Sequence, residues 1–244
     1  YTPSPCDANA RFIAPFRADT GNIDHWVAGG QFVWDNQSKG WGTRCGASSC
    51  DWKIVYNTGA GHSTTAIAVN GTTTYAAWCG PVGCNPASSQ TGSAGFSRGI
   101  ATNYGGTWHE LSMSGLPNRY VYSLTVDPAN AAHVYAVFGG FSRRWIPTAG
   151  TGHVFETTNA GGAWTDISGL LPDVPGDDLV LAGGKLYLAT DIGVFVASAA
   201  TPSTWSRFGT GLPNASVNDL SLAPDGSYLI AATHGRGIWK ISIP

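Results

Sequence analysis

Apolar and polar residues alternate along this chain in short bursts, each cut by Gly, Asn, Asp or Pro, which is the signature of half-buried strands joined by tight turns. "YVYSLTVDP" (120–128) alternates, and two β-rich runs follow, "HVYAVF" (133–138) and "HVFETT" (153–158). An eight-residue turn, "TTNAGGAW", and then "TDISGLLP" (165–172) complete the unit. The parts recur. "RFIAPFRAD" (11–19), "STTAIAVNG" (63–71) and "VNDLSLAPDG" (217–226) read as first strands. "HWVAGG", "TTYAAW", "KLYLAT" and "YLIAAT" read as second strands, and "QFVWDN", "RGIAT", "GVFVAS" and "RGIWKI" as third strands. No window carries a capped helical period.

The turn itself is written twice, as "ATNYGGTW" ending at Trp108 and "TTNAGGAW" ending at Trp164. Turn tryptophans at 41, 108, 164 and 205 space the units at the size of a four-stranded propeller blade, with insertions in the earlier ones. The expected fold is therefore all-β: a β-propeller of four-stranded antiparallel blades. About five units are expected, at 11–56, 62–113, 119–168, 177–208 and 215–243, the last with three strands and no fourth.

The repeated turn resembles the Asp-box, or BNR repeat, of sialidase-like, sortilin-like and xyloglucanase-like propellers, with pattern Ser/Thr-x-Asp-x-Gly-x-x-Trp. Asn159, Gly161 and Trp164 match it, as do Asn103, Gly105 and Trp108 with Ala101 in the Ser/Thr place. "WDNQSKGW" keeps Asn36 and Trp41, and "SAATPSTW" keeps Ser198 and Trp205. The ending "AATHGRGIWKISIP" is similar to the last blade of bacterial secreted proteins that carry these repeats. The resemblance implies that the turn joins third and fourth strands, away from the usual ligand face, and acts structurally. Turn chemistry agrees: an Asx side chain bonds its own turn, Gly takes the angle others avoid, and Trp covers the bend.

Composition narrows the functions. Charged residues are only 11% of the chain, with 33 Gly and 10 Trp in their place. The formal net charge is −2 without a basic cluster, so nucleic acid is not an expected partner. No apolar run reaches the roughly 20 residues of a membrane span. Cys45 and Cys50, and Cys79 and Cys84, each bracket a four-residue loop that a local disulfide can close. Zinc is the rival reading, but the two pairs lack the usual clustered His or Cys, so disulfides and a secreted or cell-surface location are expected. No metal and no cofactor is expected. Cys6 is left over and could bond another chain. The poor N-terminal strand "YTPSPCDAN", the leftover Cys6, the missing signal peptide and the incomplete last unit favour the C-terminal part of a larger propeller over a small closed ring.

Candidate chemistry sits at the junctions between second and third strands. Phe96 and Arg98 lie in "AGFSRGI", Phe141, Arg143, Arg144 and Trp145 in "GGFSRRWIPTAGTGH", and His234 and Arg236 in "THGRGIW". Aromatics beside arginines suit stacking on sugar rings and bonding to hydroxyls or carboxylates, against the alternative that they pack between blades and cap their edges. Asp191, in "ATDIGVF", is the candidate for one carboxylate of a glycoside hydrolase, against a plain turn Asp. Asp177 and Asp178 begin a strand, and as a pair they could hold a cation or be simply solvated. A sialidase site is disfavoured, because Glu110 and Glu156 are the only glutamates and the family's Arg-Ile-Pro motif is absent. The leading expectation is a binding or scaffold propeller for carbohydrate or a protein partner. Its alternative is part of an extracellular glycoside hydrolase whose catalytic groups lie partly on other blades.

Overall fold

A computed structural model describes residues 7, 9–41, 51–81, 84, 96–141 and 152–243. The described residues form strands and turns without an α-helix, in five antiparallel sheets that are the blades of a β-propeller fold. The first sheet holds β1 (Phe16–Asp19), β2 (Asn22–Gly29), β3 (Phe32–Asp35) and β4 (Lys53–Asn57). The second holds β5 (Ser63–Asn70), β6 (Thr73–Pro81), β7 (Phe96–Thr102) and β8 (His109–Glu110). In the third are β9 (Val121–Asp127), β10 (Asn130–Phe138), β11 (Val154–Thr157) and β12 (Thr165–Asp166). The fourth comprises β13 (Gly176–Ala182), β14 (Lys185–Thr190), β15 (Gly193–Ser198) and β16 (Thr201–Phe208). The fifth has three strands, β17 (Val217–Leu222), β18 (Tyr228–Thr233) and β19 (Gly237–Ser242).

The chain divides into two compact units. One is Tyr1–Ser114 with Val126–Val134 and Thr158–Ala163; the other is Gly115–Thr125, Tyr135–Thr157 and Trp164–Pro244. In the first unit, Val27 and Val33 of the first sheet meet Ile67, Val69 and Ala76 of the second. In the second unit, β14 shows why its sequence is nearly all apolar. Leu186 and Leu188 pack toward Val154 and Ile167, while Tyr187 and Ala189 pack toward Val217, Leu220 and Leu229. A strand with both faces covered loses its polar alternation. Burial of the leucines contributes about 1.5–3 kcal/mol each.

The first strand is shorter than expected. "RFIAPFRAD" forms β1 only from Phe16, and Phe12 and Ile13 are exposed. Pro15 has no N–H to give to a ladder, and its carbonyl accepts from Gly29 N at 3.0 Å.

The two repeated turns join β7 to β8 and β11 to β12, each with its Trp just before the fourth strand. Asn103 Oδ1 accepts from Thr74 N at 2.7 Å and Asn103 Nδ2 donates to Thr72 O at 2.9 Å, tying the turn to the start of β6. Asn159 Oδ1 accepts from Ala163 N at 2.9 Å. Trp108 stacks on Tyr56 of β4 with ring centroids 4.7 Å apart. Asn36, fully buried, accepts from Trp26 N and Ser38 N and donates to Asp24 O. Trp205 is different: lacking an Asx and a Gly, its segment reverses in two residues, Ala199 and Ala200, and the indole stands on β16 itself. Cys79 and Cys84 form a disulfide. Cys6, Cys45 and Cys50 lie outside the described residues.

Candidate functional site

In the second unit one end of the sheets gathers the starts of the innermost strands and the turns between second and third strands. β13 and β17 each begin with a register shift, between Gly176 and Asp178 and between Val217 and Asp219. Such a bulge adds one residue to the strand and re-aims its side chain. The extra residues are Asp177 and Asn218.

Asp177 and Asp178 are not the solvated pair that the sequence allowed. They are only 9% and 6% exposed. Asp178 is fully used: Oδ1 accepts from Ser123 Oγ of β9 at 2.7 Å and Oδ2 from Leu220 N of β17 at 3.1 Å, so one carboxylate ties three innermost strands. Asp177 Oδ2 is buried with no hydrogen-bond partner among the described residues. Burial, then the charges of Asp191 and Asp178, push the Asp177 carboxyl up to about 7. It therefore holds a proton through much of the range in which an ordinary carboxyl has lost it.

Asp191 sits exposed in the β14–β15 turn. That turn is braced by Thr190, whose Oγ1 donates to Gly193 O at 2.7 Å and accepts from Ile192 N at 3.2 Å. The Asp191 carboxylate instead accepts from Ser216 Oγ, on the approach to β17, at 3.0 Å. Ser216 Oγ also lies 2.8 Å from Asn218 Oδ1, and Ser216 O accepts from His234 N at 2.8 Å. Ser216 thus brings together Asp191 and His234, two residues singled out from the sequence. Arg236 is exposed in the same β18–β19 turn, its carbonyl accepting from Trp239 Nε1 at 2.9 Å.

The neighbouring blade adds a positioning hub that the sequence did not reveal. Buried Arg119 donates to Gly139 O at 3.1 Å, to Gly140 O at 2.8 Å and to Gly152 O, holding both ends of the 139–153 insertion. His153 Nδ1 lies 3.2 Å from Arg119 and Nε2 lies 3.0 Å from Asp173. Burial and the Arg119 charge lower the His153 pKa, so the ring is neutral at pH 7 and Nδ1 accepts from the guanidinium. Tyr120 and exposed Tyr122 flank this hub, their ring centroids 5.9 Å apart. Phe141 is half-buried, and Arg143, Arg144 and Trp145 lie outside the described residues, as does the Phe96 side chain.

Arg98 belongs to the first unit, half-buried opposite Cys79, where burial lowers its pKa to about 10. Glu110 accepts from Tyr56 OH at 2.5 Å and from Trp78 Nε1 at 3.0 Å. A tyrosine paired to a glutamate is the arrangement a sialidase nucleophile needs, yet burial and Glu110 raise the Tyr56 pKa. A raised pKa keeps the phenol protonated, and Glu110 joins Tyr56 of β4 to Trp78 of β6. The first unit also gathers His25 between Asp19 and Asp35, at 3.5 and 3.1 Å, in a pocket of about 510 Å³. Among the described residues no group of three His, Cys, Asp or Glu side chains is arranged to hold a metal.

No family model and no curated protein sequence matches the chain. Solved structures do. A GH74 enzyme of Niastella koreensis aligns with TM-score 0.63 at 14% identity over 96% of this chain and 36% of its own. The GH74 xyloglucanase of Xanthomonas campestris aligns with TM-score 0.63 at 12% identity, again over 96% and 36%. The Swd1 β-propeller domain of Myceliophteria thermophila gives TM-score 0.59 at 12% identity, over 95% of this chain and 65% of that one. The chain thus spans about a third of the GH74 enzymes and just under two thirds of the Swd1 domain. What it shares with all three is the β-propeller fold.

Proposed function

We propose that the chain is a carbohydrate-binding β-propeller, with its ligand face at the strand ends of the second unit around Asp191, Ser216, Asn218 and Asp177. The observation that carries this reading is the Asp191–Ser216–Asn218 hydrogen-bonded run beside an orphaned carboxyl oxygen on Asp177. Such a run offers alternating donors and acceptors to sugar hydroxyls, and exposed Tyr122 offers a ring face at the same end. His234 and Arg236 border the run. A secreted or cell-surface setting accords with the Cys79–Cys84 disulfide, since such bonds persist in oxidising compartments. Titration against a panel of soluble polysaccharides tests the binding. Saturable association weakened in Asp191→Asn and Ser216→Ala supports it; no polysaccharide bound, or binding unchanged by both variants, removes it.

One observation favours a second reading, glycoside hydrolysis. Asp177 keeps a proton to about pH 7 while Asp191 lies nearby as a second carboxylate, which is the division of labour a hydrolase needs between acid and base. Release of reducing ends that disappears in both Asp177→Asn and Asp191→Asn would establish it. Binding without any release leaves the chain a lectin-like module.

A further inference from the structure

The strand ends around Asp191 are rich in acceptors and short of donors. Ser216 Oγ lies 3.0 Å from Asp191 Oδ1 and 2.8 Å from Asn218 Oδ1. A hydroxyl has one proton to give, so two oxygens claim it and one goes without. Asn218 can end that conflict by turning its amide. Asp177 has no such remedy: its Oδ2 is buried and unpartnered among the described residues.

The charges of this face do not balance either. Asp177, Asp178 and Asp191 gather here, and the second of them spends its oxygens on Ser123 and Leu220. Arg207, across from the Asp191 turn, gives its guanidinium to Ile192 O. His234 and Arg236 stand exposed on the neighbouring turn. No described Lys, Arg or His forms an ion pair with Asp177 or Asp191. A buried carboxyl in that position needs a proton or a positive partner.

The ligand chemistries differ in how they meet this. Hydroxyls of a neutral sugar can donate to Asp191 and Asn218 but bring no charge for Asp177. An acidic sugar adds another negative group to three already close together. An ammonium brings three donors, no acceptor and one positive charge, which answers both the acceptors and the carboxyl. Resting on the carbohydrate reading of this face, we infer that its ligand is a polysaccharide of amino sugars, whose protonated amine donates to Asp191 and Asn218 beside Asp177. The arriving charge lets the Asp177 carboxyl ionise, and the proton it gives up passes to solvent.

Calorimetric titration of the whole chain at pH 5.5 compares an oligosaccharide of glucosamine with its fully N-acetylated counterpart of the same length. Acetylation keeps the rings and hydroxyls and removes the charge. The free-amine sugar should bind about tenfold tighter. Its binding should release a proton, read as a heat that changes with the ionisation enthalpy of the buffer. Asp177→Asn keeps the side chain's shape and should bring the two sugars to within about twofold. Asp225→Asn removes the same charge in the β17–β18 turn, at the other end of β17, and should keep the preference. Equal binding of the two sugars, or tighter binding of the acetylated one, overturns the inference while the carbohydrate reading stands. A preference that survives in Asp177→Asn overturns it as well. So does a preference erased by Asp225→Asn, which would be general attraction to an acidic chain. If neither sugar binds, the inference falls; if the wider polysaccharide panel fails too, the carbohydrate reading falls with it.

Discussion

Ser216 donates its hydroxyl to Asp191 across two blades of the second unit, at 3.0 Å, leaving the Asp191 turn to be held by Thr190 instead. The carboxylate is thereby set by a neighbouring sheet and not consumed by its own turn. Removing the hydroxyl in Ser216→Ala should lower ligand affinity about fivefold to tenfold, the effect of one net hydrogen bond, while the melting temperature stays within a few degrees. A large loss of stability would mean that the contact is structural.

Asp177 ties stability to pH with a definite sign. Its folded pKa stands above the ordinary 3.8, so the folded protein binds more protons than the unfolded chain between that value and about 7. Stability from this group is present in acid and lost as pH rises through about 7. Asp177→Asn removes the buried charge and should gain about 1–3 kcal/mol at pH 8, with little difference at pH 4. Urea unfolding at both pH values reads the contrast.

His153 acts in the opposite direction. Its pKa is lowered in the folded state from 6.5 by burial and by Arg119, so its contribution is present above 6.5 and lost as pH falls below it. In His153→Gln the acid limb of the stability curve should flatten. Arg119→Ala, which releases the three carbonyls bound to a buried guanidinium, should cost about 3–5 kcal/mol. Thermal melts across pH 5–8 measure both.

The two repeated turns separate backbone strain from packing. Gly105 has φ of 84° and open space where a Cβ would go, whereas Gly161 has φ of 89° and Leu111 at 2.4 Å from that point. Gly105→Ala should therefore cost about 1 kcal/mol and Gly161→Ala clearly more, about 2–3 kcal/mol. Asn103→Ala, which loses bonds to Thr72 and Thr74, should also destabilise the protein by about 1–2 kcal/mol. Equal losses in the two glycine variants, or no loss in Asn103→Ala, read by urea unfolding, would contradict these assignments.

The strands were legible because period-two alternation and glycine-bearing turns are local properties, and β14, β15 and β18 fall on the runs that announced them. β1 was overextended because alternation in "RFIAPFRAD" spoke louder than the missing N–H of Pro15. Trp205 was misread as a turn residue because spacing alone placed it. Asp191 could be singled out from its turn, but its bond to Ser216 depends on how adjacent sheets pack, and no local pattern encodes that. The same is true of Arg119, an arginine that nothing in "LPNRYVY" marks as buried, and of Asp19, His25 and Asp35, which only the strand pairing assembles. Asp177 and Asp178 were open to a cation-holding or a solvated reading because nothing local marks them as buried; the register shift between Gly176 and Asp178 that makes Asp177 an extra residue appears only in the strand pairing.

That register shift separates two duties that a regular strand would force on the same positions. β5, β13 and β17 each carry such a displacement near their start, at Thr65, Asp177 and Asn218. A residue standing outside the alternation leaves the facing of its neighbours along the strand unchanged. Each of these blades therefore has one position near its strand start where the side chain is set by the bulge and not by the period-two pattern of the strand.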